Sequence, residues 1–399
     1  MARPTVSSSE RLARTGAGVT RVYLDYAAFS PVDPRVVALM RPFLEGGVGN
    51  PSALHSLGLE ARASLEGARA KVARLVGATA AGVVFTASAT EANNLAIRGL
   101  AERASGRHVV ASAVEHISVL NACRHLAKRG WEIAYVPVDA EGRVDPDAVA
   151  RALRDDTALV SVMAANGEIG TVQPLREIGR ATRARGVPLH VDAVGAAGRI
   201  PLAVDDLGID LLTLSSNDLY GPPGAGALWV RADVKLGPVV VGGGQEGGYR
   251  AGTENLPAIV GIGVAADLAR VEGAAEVARL ATQRDRLFEG VLARVPRARI
   301  TGARGAARLP HHASLVVGGV KADGVLLELD LRGVAASSGS ACNMASGEPS
   351  HVLRAIGCAR DELEGSLCFT LGRWTTAAEV DAVVEALPAV IERLRRLAP

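Results

Sequence analysis

Aromatic residues, cysteine and lysine are all scarce in this chain of 399 residues, and charge of one sign is not in excess. Only 3% of the residues are aromatic while 48% are hydrophobic, which predicts a core of mainly aliphatic side chains. Lys+Arg 44 and Asp+Glu 42 nearly balance, so the chain lacks the basic excess by which proteins bind nucleic acid. The four cysteines show no Cys-x-x-Cys spacing, so neither a zinc site nor a disulfide framework is predicted.

Long apolar runs are also missing. The longest, such as Ala158–Ala165 and Ala258–Ala266, fall well short of the ~20 residues that span a bilayer. The first twenty residues contain no apolar block of the kind that a secretory signal needs. We therefore expect a cytoplasmic globular protein with no membrane partner, preceded by a flexible tail over residues 1–20.

Lysine is rare enough to limit the chemistry. Arginine supplies most of the positive charge, and any lysine-dependent reaction has four candidate residues, which are Lys71, Lys128, Lys235 and Lys321.

Short aliphatic runs alternate with helical segments over about 200 residues. This alternation predicts an α/β fold with a mostly parallel sheet and helices on both faces. The predicted strands are Val83–Thr86, His108–Ala111, Ile133–Val136, Ala158–Met163, Leu189–Asp192 and Leu211–Leu214. After a Gly-rich stretch, a long helix, further strands and a C-terminal helix predict a smaller α+β domain. We therefore expect a large domain over 21–260 and a small one over 261–399.

Polar residues follow four of the predicted strands. They are the segment Ser88–Glu91, His116, Asp192 and Ser215. Taken singly, each is as well explained by a helix cap or a packed surface side chain. In an open α/β sheet, however, ligands bind at the carboxyl ends of the strands, so four such residues at one edge favour a binding site.

Eleven motifs, in order along the chain, resemble those of the cysteine desulfurases in the class V aminotransferases. They are Tyr23-Leu-Asp-Tyr-Ala-Ala28, Gly49-Asn-Pro-Ser52 with His55, Ala89-Thr-Glu-Ala-Asn-Asn94, Val114-Glu-His116, Glu168-Ile-Gly170, His190-Val-Asp-Ala193, Tyr220-Gly-Pro222, Gly242-Gly-Gly-Gln-Glu246, Arg250-Ala-Gly-Thr-Glu-Asn255, Ser337-Ser-Gly-Ser-Ala-Cys342 and Pro349-Ser-His-Val-Leu-Arg354. The resemblance implies a fold-type I transferase that uses pyridoxal 5'-phosphate.

The resemblance also implies roles for individual residues. Thr90 and Ser215 would bind the cofactor phosphate, and Thr253 would reach it from a neighbouring subunit, which implies a dimer. His116 would stack on the pyridine ring and Asp192 would pair with its nitrogen. Cys342 would be the nucleophile that takes up the substrate sulfur as a persulfide; as an alternative, it is an ordinary buried thiol.

Five positions depart from the family pattern. The family's His-Lys pair, whose lysine forms the Schiff base with the cofactor, is Asn217-Asp218 here. The arginine that binds the substrate carboxylate is replaced by Cys368. The remaining departures are Ser88 for a glycine, Gly167 for an asparagine and Gly195 for a glutamine. A carboxylate cannot condense with an aldehyde, so we expect no covalent attachment of the cofactor, and whether it binds at all stays open.

Three functions are compatible with this pattern. The first is a desulfurase-like protein without the activity, serving as a partner subunit, sulfur relay or scaffold. It would form a homodimer, or a heterodimer with a desulfurase subunit, and could contact a sulfur-acceptor protein. The second is an enzyme with new chemistry in which Asp218 acts as acid or base. The third is a working cysteine desulfurase, which would have to function without the lysine and the arginine.

Overall fold

A seven-stranded sheet forms the centre of the larger part of the molecule. The computed structural model describes residues 21–46, 49–339 and 349–397, and the predicted tail over 1–20 and Cys342 lie outside them. The strands are β1 (Val22–Tyr23), β2 (Val83–Thr86), β3 (His108–Ser112), β4 (Glu132–Val136), β5 (Thr157–Ser161), β6 (Leu189–Asp192), β7 (Leu211–Ser215), β8 (Gly226–Val230), β9 (Ala298–Ile300), β10 (His312–Val317), β11 (Val334–Ala335) and β12 (Ser366–Thr370).

The helices cover the faces of this sheet and build the smaller part. They are α1 (Pro34–Leu44), α2 (Ser56–Leu75), α3 (Ala89–Asn94), α4 (Ile117–Ala127), α5 (Pro146–Ala152), α6 (Leu175–Ala184), α7 (Val204–Leu207), α8 (Leu256–Arg294), α9 (Ala322–Leu331), α10 (His351–Ala355), α11 (Arg360–Glu364) and α12 (Ala377–Leu397). A π-helical segment, Leu95–Gly99, continues α3, and short 3-10 turns include Asn217–Leu219 and Gln245–Gly248.

The large sheet has the strand order β2-β8-β7-β6-β5-β3-β4. Both neighbours of β8 run antiparallel to it and the other pairings are parallel, so six strands point in one direction and β8 in the other. The inner strands β3, β6 and β8 are buried on both faces because helices pack against each side. The predicted α/β architecture with a mostly parallel sheet is confirmed.

A second core lies around the antiparallel sheet β12-β10-β9. Its side chains come from these strands, from α9 and α12, and from the second half of α8. The N-terminal strand β1 also belongs here, since β1 pairs with β11 and Leu24 is buried in this core. A smaller C-terminal α+β unit is therefore present, with one strand contributed by the start of the chain.

Helix α8 connects the two cores. Its first turns, including Ile259 and Ile262, pack in the core of the large sheet, whereas Leu287 and Val291 pack in the second core. The side chain of Asn255 caps its N-terminus by accepting a hydrogen bond from the Ala258 N–H at 3.4 Å. The boundary predicted between residues 260 and 261 thus falls inside a continuous helix. Across the described ranges, no helix is long and apolar enough to cross a membrane.

Candidate functional site

A cavity of about 230 Å³ lies at the carboxyl edge of the large sheet, between this sheet and the second unit. Four residues singled out from the sequence line it, namely Thr90, His116, Asp192 and Asp218. They meet because the strands that precede them are parallel, so their ends lie at one edge. Of the four strand-end positions expected at this edge, the segment Ser88–Glu91 (through Thr90), His116 and Asp192 line the cavity, and Ser215 does not.

Two of the strand-end residues also cap the helices that follow. Ser88 accepts a hydrogen bond from the Glu91 N–H at 3.2 Å, and His116 Nδ1 accepts one from the Ser118 N–H at 3.2 Å. His116 therefore both caps α4 and lines the cavity, whereas Ser88 caps α3 without lining the cavity.

Asp192 is held in place from two sides. Asn93 Nδ2 donates to one carboxylate oxygen at 2.7 Å, and the Val194 N–H donates to the other at 3.1 Å. Asp192 is only 5% exposed and lines the cavity. A buried carboxylate fixed in this way can pair with a protonated ring nitrogen of a ligand.

Asp218 lies in the 3-10 turn after β7 and faces two cavities. One is the large cavity, and the other is a pocket of about 20 Å³ lined by Arg199, Tyr220 and Glu276. Burial raises the pKa of Asp218 to about 6, while the Arg199 guanidinium and the Ser215 hydroxyl act in the opposite direction. The carboxyl group is therefore ionised at neutral pH, in a buried position.

Cys368 lines the cavity where the resemblance implies an arginine. Its Sγ lies 3.4 Å from Nε2 of His312, and the same Nε2 lies 2.8 Å from the carbonyl oxygen of Gly167. Because a carbonyl can only accept, Nε2 carries the proton and cannot take one from the thiol. Burial also raises the pKa of Cys368 strongly, so this residue is a neutral side chain.

Four of the five departures from the family pattern meet in this cavity. Gly167, Gly195, Asp218 and Cys368 line it, and Ser88 adjoins it through Ala89. A Cβ at Gly167 would meet nothing within 4 Å, and one at Gly195 would lie 3.6 Å from Leu309. Both positions could therefore accommodate a larger side chain without a clash. The cavity is wider than it would be with the family's asparagine and glutamine at these positions.

Two carboxyl groups that line the cavity, those of buried Glu115 and half-buried Glu168, were not assigned a role from the sequence. Burial raises the pKa of Glu115 to about 8 and that of Glu168 to about 7. Glu115 accepts hydrogen bonds from the Ser112 hydroxyl and the Met163 N–H through one oxygen. Both residues lie inside motifs that carry the family resemblance, and that position was the only available signal.

The remaining predicted site residues lie elsewhere. Ser215 ends β7 next to the site but does not line the cavity, and Thr253 is exposed and also outside it. Cys342 lies outside the described residues. None of the four lysines is among the described residues that line the cavity.

Comparisons with known proteins identify the relatives of this chain. The family model described as "Aminotransferase class-V" matches residues 22–383. Cysteine desulfurase IscS 1 of Archaeoglobus fulgidus is 46% identical over 94% of this chain and 98% of its own, and Cysteine desulfurase IscS of Dictyoglomus turgidum is 44% identical over 95% and 96%.

Among solved structures, a NifS-like protein superimposes with a TM-score of 0.87 at 32% identity, over 94% of this chain and all of its own. These matches confirm the resemblance to the cysteine desulfurases and the fold-type I transferase architecture that it implied.

Proposed function

Since the chain belongs to the aminotransferase class-V family, we propose that it is a cysteine desulfurase-like protein that has lost the classical desulfurase reaction. Cysteine desulfurases of this family depend on pyridoxal 5'-phosphate, which supplies an electron sink for carbanion chemistry on an amino acid. Thr90, His116 and Asp192 are retained at the cavity and fit this group. The protein would therefore keep a cofactor pocket without covalent attachment.

The replacement of the lysine by Asp218 carries this proposal. An amine is needed both to attach the cofactor aldehyde and to move the proton at the substrate Cα, and a carboxylate cannot form that covalent bond. Of the four lysines, none lines the cavity, so no neighbouring lysine supports a substitute role.

The substrate carboxylate also lacks a partner. Cys368 is neutral and buried, and the described residues that line the cavity include neither lysine nor arginine. An unpaired carboxylate in such a pocket costs about 1–3 kcal/mol or more, which corresponds to weaker binding of cysteine by about tenfold or more. This loss is independent of the missing lysine. Introducing a lysine at position 218 would therefore not restore binding of the substrate carboxylate.

Within this proposal, the protein acts as a subunit of a two-fold dimer, with itself or with a desulfurase-family partner. Thr253 is exposed and lies outside its own cavity, as a residue that serves a neighbouring subunit would. A role in sulfur transfer would require Cys342, because Cys368 is buried and protonated and is unsuited to exchange with a thiol. A cytoplasmic location stays a prediction from the sequence.

A second candidate function is a redirected enzyme. Asp218 has a pKa raised to about 6 and lines the cavity, which is the condition of a carboxyl group that can act as acid or base near neutral pH. Turnover of an amino compound other than cysteine, abolished by Asp218→Asn, would favour this function over the partner role.

The test measures alanine and sulfide production from L-cysteine, together with the visible spectrum before and after borohydride in the presence of pyridoxal 5'-phosphate. An active cysteine desulfurase serves as the positive control. We expect no turnover and no borohydride-fixed pyridoxyl group on any lysine. Asp218→Lys alone should still not turn over cysteine, whereas Asp218→Lys with Cys368→Arg restores both missing groups. Turnover by the natural chain would overturn the proposal.

A further inference from the structure

We propose that the cavity selects the amine form of the cofactor, pyridoxamine 5'-phosphate, and that Asp218 accepts the hydrogen bond of its protonated amine. This inference rests on the proposed function, because a covalently attached aldehyde would leave no place for a free amine. It assigns Asp218 a binding role rather than treating it only as the loss of a lysine.

The charge of the cavity favours a cationic ligand group. Asp192 and Asp218 line it with carboxylates, and the part of the lining that the structure describes contains no lysine or arginine, whereas burial raises the pKa of Glu115 to about 8 and that of Glu168 to about 7 and so reduces their charge at neutral pH. Both oxygens of Asp192 accept hydrogen bonds, as an ionised carboxylate does. A ligand that brings a positive charge is therefore better matched than the neutral aldehyde.

Unsatisfied hydrogen-bond acceptors give an independent argument. Oε2 of Glu115 and Oδ1 of Asn93 are buried and have no hydrogen-bond partner among the described residues. Both residues line the cavity, and Glu115 is 0% and Asn93 1% exposed. Buried polar atoms normally have partners, so the amide oxygen of Asn93 indicates a ligand that donates a hydrogen bond, whereas the Glu115 carboxyl, with its pKa raised to about 8, is itself largely protonated at neutral pH. An ammonium group has three donors, whereas an aldehyde has none.

The state of Asp218 suits an ammonium partner. Arg199, 7% exposed, has Nε and Nη1 without partners among the described residues, and its positive charge favours the ionised form of the Asp218 carboxyl. At pH 8 the carboxyl is therefore ionised, and a primary alkylamine is protonated, as a lysine side chain is. The two would form a charge-assisted hydrogen bond inside the cavity.

The cavity also has room for an untethered ligand. Its volume of about 230 Å³ is open in the chain as it stands, and Gly167 has no heavy atom within 4 Å of the position of a Cβ. A pocket that had only lost its function could collapse around small apolar residues, whereas this one keeps an open space with buried polar groups.

The experiment compares pyridoxamine 5'-phosphate with pyridoxine 5'-phosphate, which carries a neutral hydroxyl in place of the amine. Neither has an aldehyde, so imines with surface lysines cannot confuse the result. Dissociation constants are measured at pH 8 by equilibrium dialysis or calorimetry. The proteins are the natural chain, Asp218→Asn, Asp218→Ala and the control Asp155→Asn, whose side chain is exposed and outside the cavity.

We expect the natural chain and Asp155→Asn to bind the amine about 10- to 100-fold more tightly than the alcohol, as a charge-assisted hydrogen bond implies. In Asp218→Asn and Asp218→Ala the two ligands should bind within roughly threefold of each other, because the acceptor charge is gone.

Equal binding by the natural chain, a preference that survives both Asp218 variants, or no binding of either ligand would overturn the inference. If one of these binding results is found and the natural chain does not turn over cysteine, the inference is wrong but the proposed function still stands. Cysteine turnover by the natural chain would instead overturn the proposed function itself.

Discussion

Two opposing effects determine the pKa of the Asp218 carboxyl group. Its carboxyl group is buried, which favours the neutral form, and it lies near Arg199, which favours the charged form. Burial has the larger effect, and the pKa settles at about 6. The residue is therefore a charge that the protein holds at some cost, which is more easily understood if a ligand pairs with it.

This balance predicts a pH-dependent difference between the natural chain and Asp218→Asn. Because the pKa of Asp218 is raised on folding, the native state binds its proton more tightly, and the stability from the protonated form is lost as pH rises through about 6. Relative to Asp218→Asn, the free energy of unfolding of the natural chain should fall by about 1–1.5 kcal/mol from pH 5 to pH 8.

Urea titrations of both proteins at these two pH values measure the effect. Glu115 and Glu168 also have raised pKa values and shift stability in the same direction, but both are present in each protein and cancel in the difference. A difference that does not change with pH would mean that Asp218 is not buried as described.

At the scale of the elements, the segment after β8 returns to contact β2. Glu246 has a φ of 49°, in the left-handed region, and its carboxylate is 2% exposed. It accepts hydrogen bonds from Arg69 of α2 at 2.7 and 2.9 Å and from the Phe85 N–H at 2.8 Å. One carboxylate thus joins a helix, a strand and a loop, and this contact compensates for the uncommon backbone conformation.

Removing this carboxylate should be costly. We expect Glu246→Ala to lower the free energy of unfolding by about 3–5 kcal/mol, because it leaves Arg69 buried beside an unpaired Phe85 N–H. Glu66→Ala is the matched control, since Glu66 also pairs with Arg69, at 3.1 Å, but is 55% exposed and should cost at most about 1 kcal/mol. Equal losses in chemical denaturation would contradict the importance of the buried pair.

The strands were the elements most open to prediction from the sequence. Val83–Thr86 and Leu189–Asp192 have the predicted bounds because each is a short aliphatic run, buried on both faces, that ends at a polar residue. The role of Glu246 could not be predicted in this way. Its partner Arg69 is 177 residues away, and neither periodicity nor spacing records such a contact.

In the candidate site, too, the positions of residues at strand ends could be predicted, whereas contacts between distant segments could not. Thr90, His116 and Asp192 could be placed at one edge, because the edge follows from the parallel strands, and Asp218 could be placed there only through the family resemblance. The unpartnered oxygens of Glu115 and Asn93 and the proximity of Arg199 to Asp218 could not, since burial and hydrogen-bond satisfaction depend on packing between distant segments.

At the scale of the whole molecule, the surface carries large apolar side chains that the described chain does not cover. Leu44 at the end of α1 is 67% exposed, Leu54 just before α2 is 86% exposed, and Val241 is 79% exposed. Large exposed apolar side chains are compatible with a protein–protein contact. They support the proposed dimer, in which Thr253 would also face the neighbouring subunit.

The dimer is tested by light scattering at micromolar concentration. We expect twice the monomer mass for the natural chain, and a shift toward the monomer for Leu54→Asp, because a charge would be buried in the contact. Leu331→Asp, on α9 of the second unit and 82% exposed, is the control and should remain dimeric. A monomeric natural chain, or equal effects of both variants, would refute this arrangement.

The pairing of β1 with β11 joins two segments that are far apart in the sequence. Val22 lies opposite Val334, so 311 residues must be synthesised between the two partners. At the usual rate of about 5–20 residues per second, the ribosome needs roughly 15–60 s to reach the second strand. Until the segments from Leu280 onward have been synthesised, Leu24 lacks the other side chains of its core, whereas the large sheet can already form. The smaller unit is therefore completed after the large sheet in biosynthesis, and β1 can pair only once β11 has been synthesised.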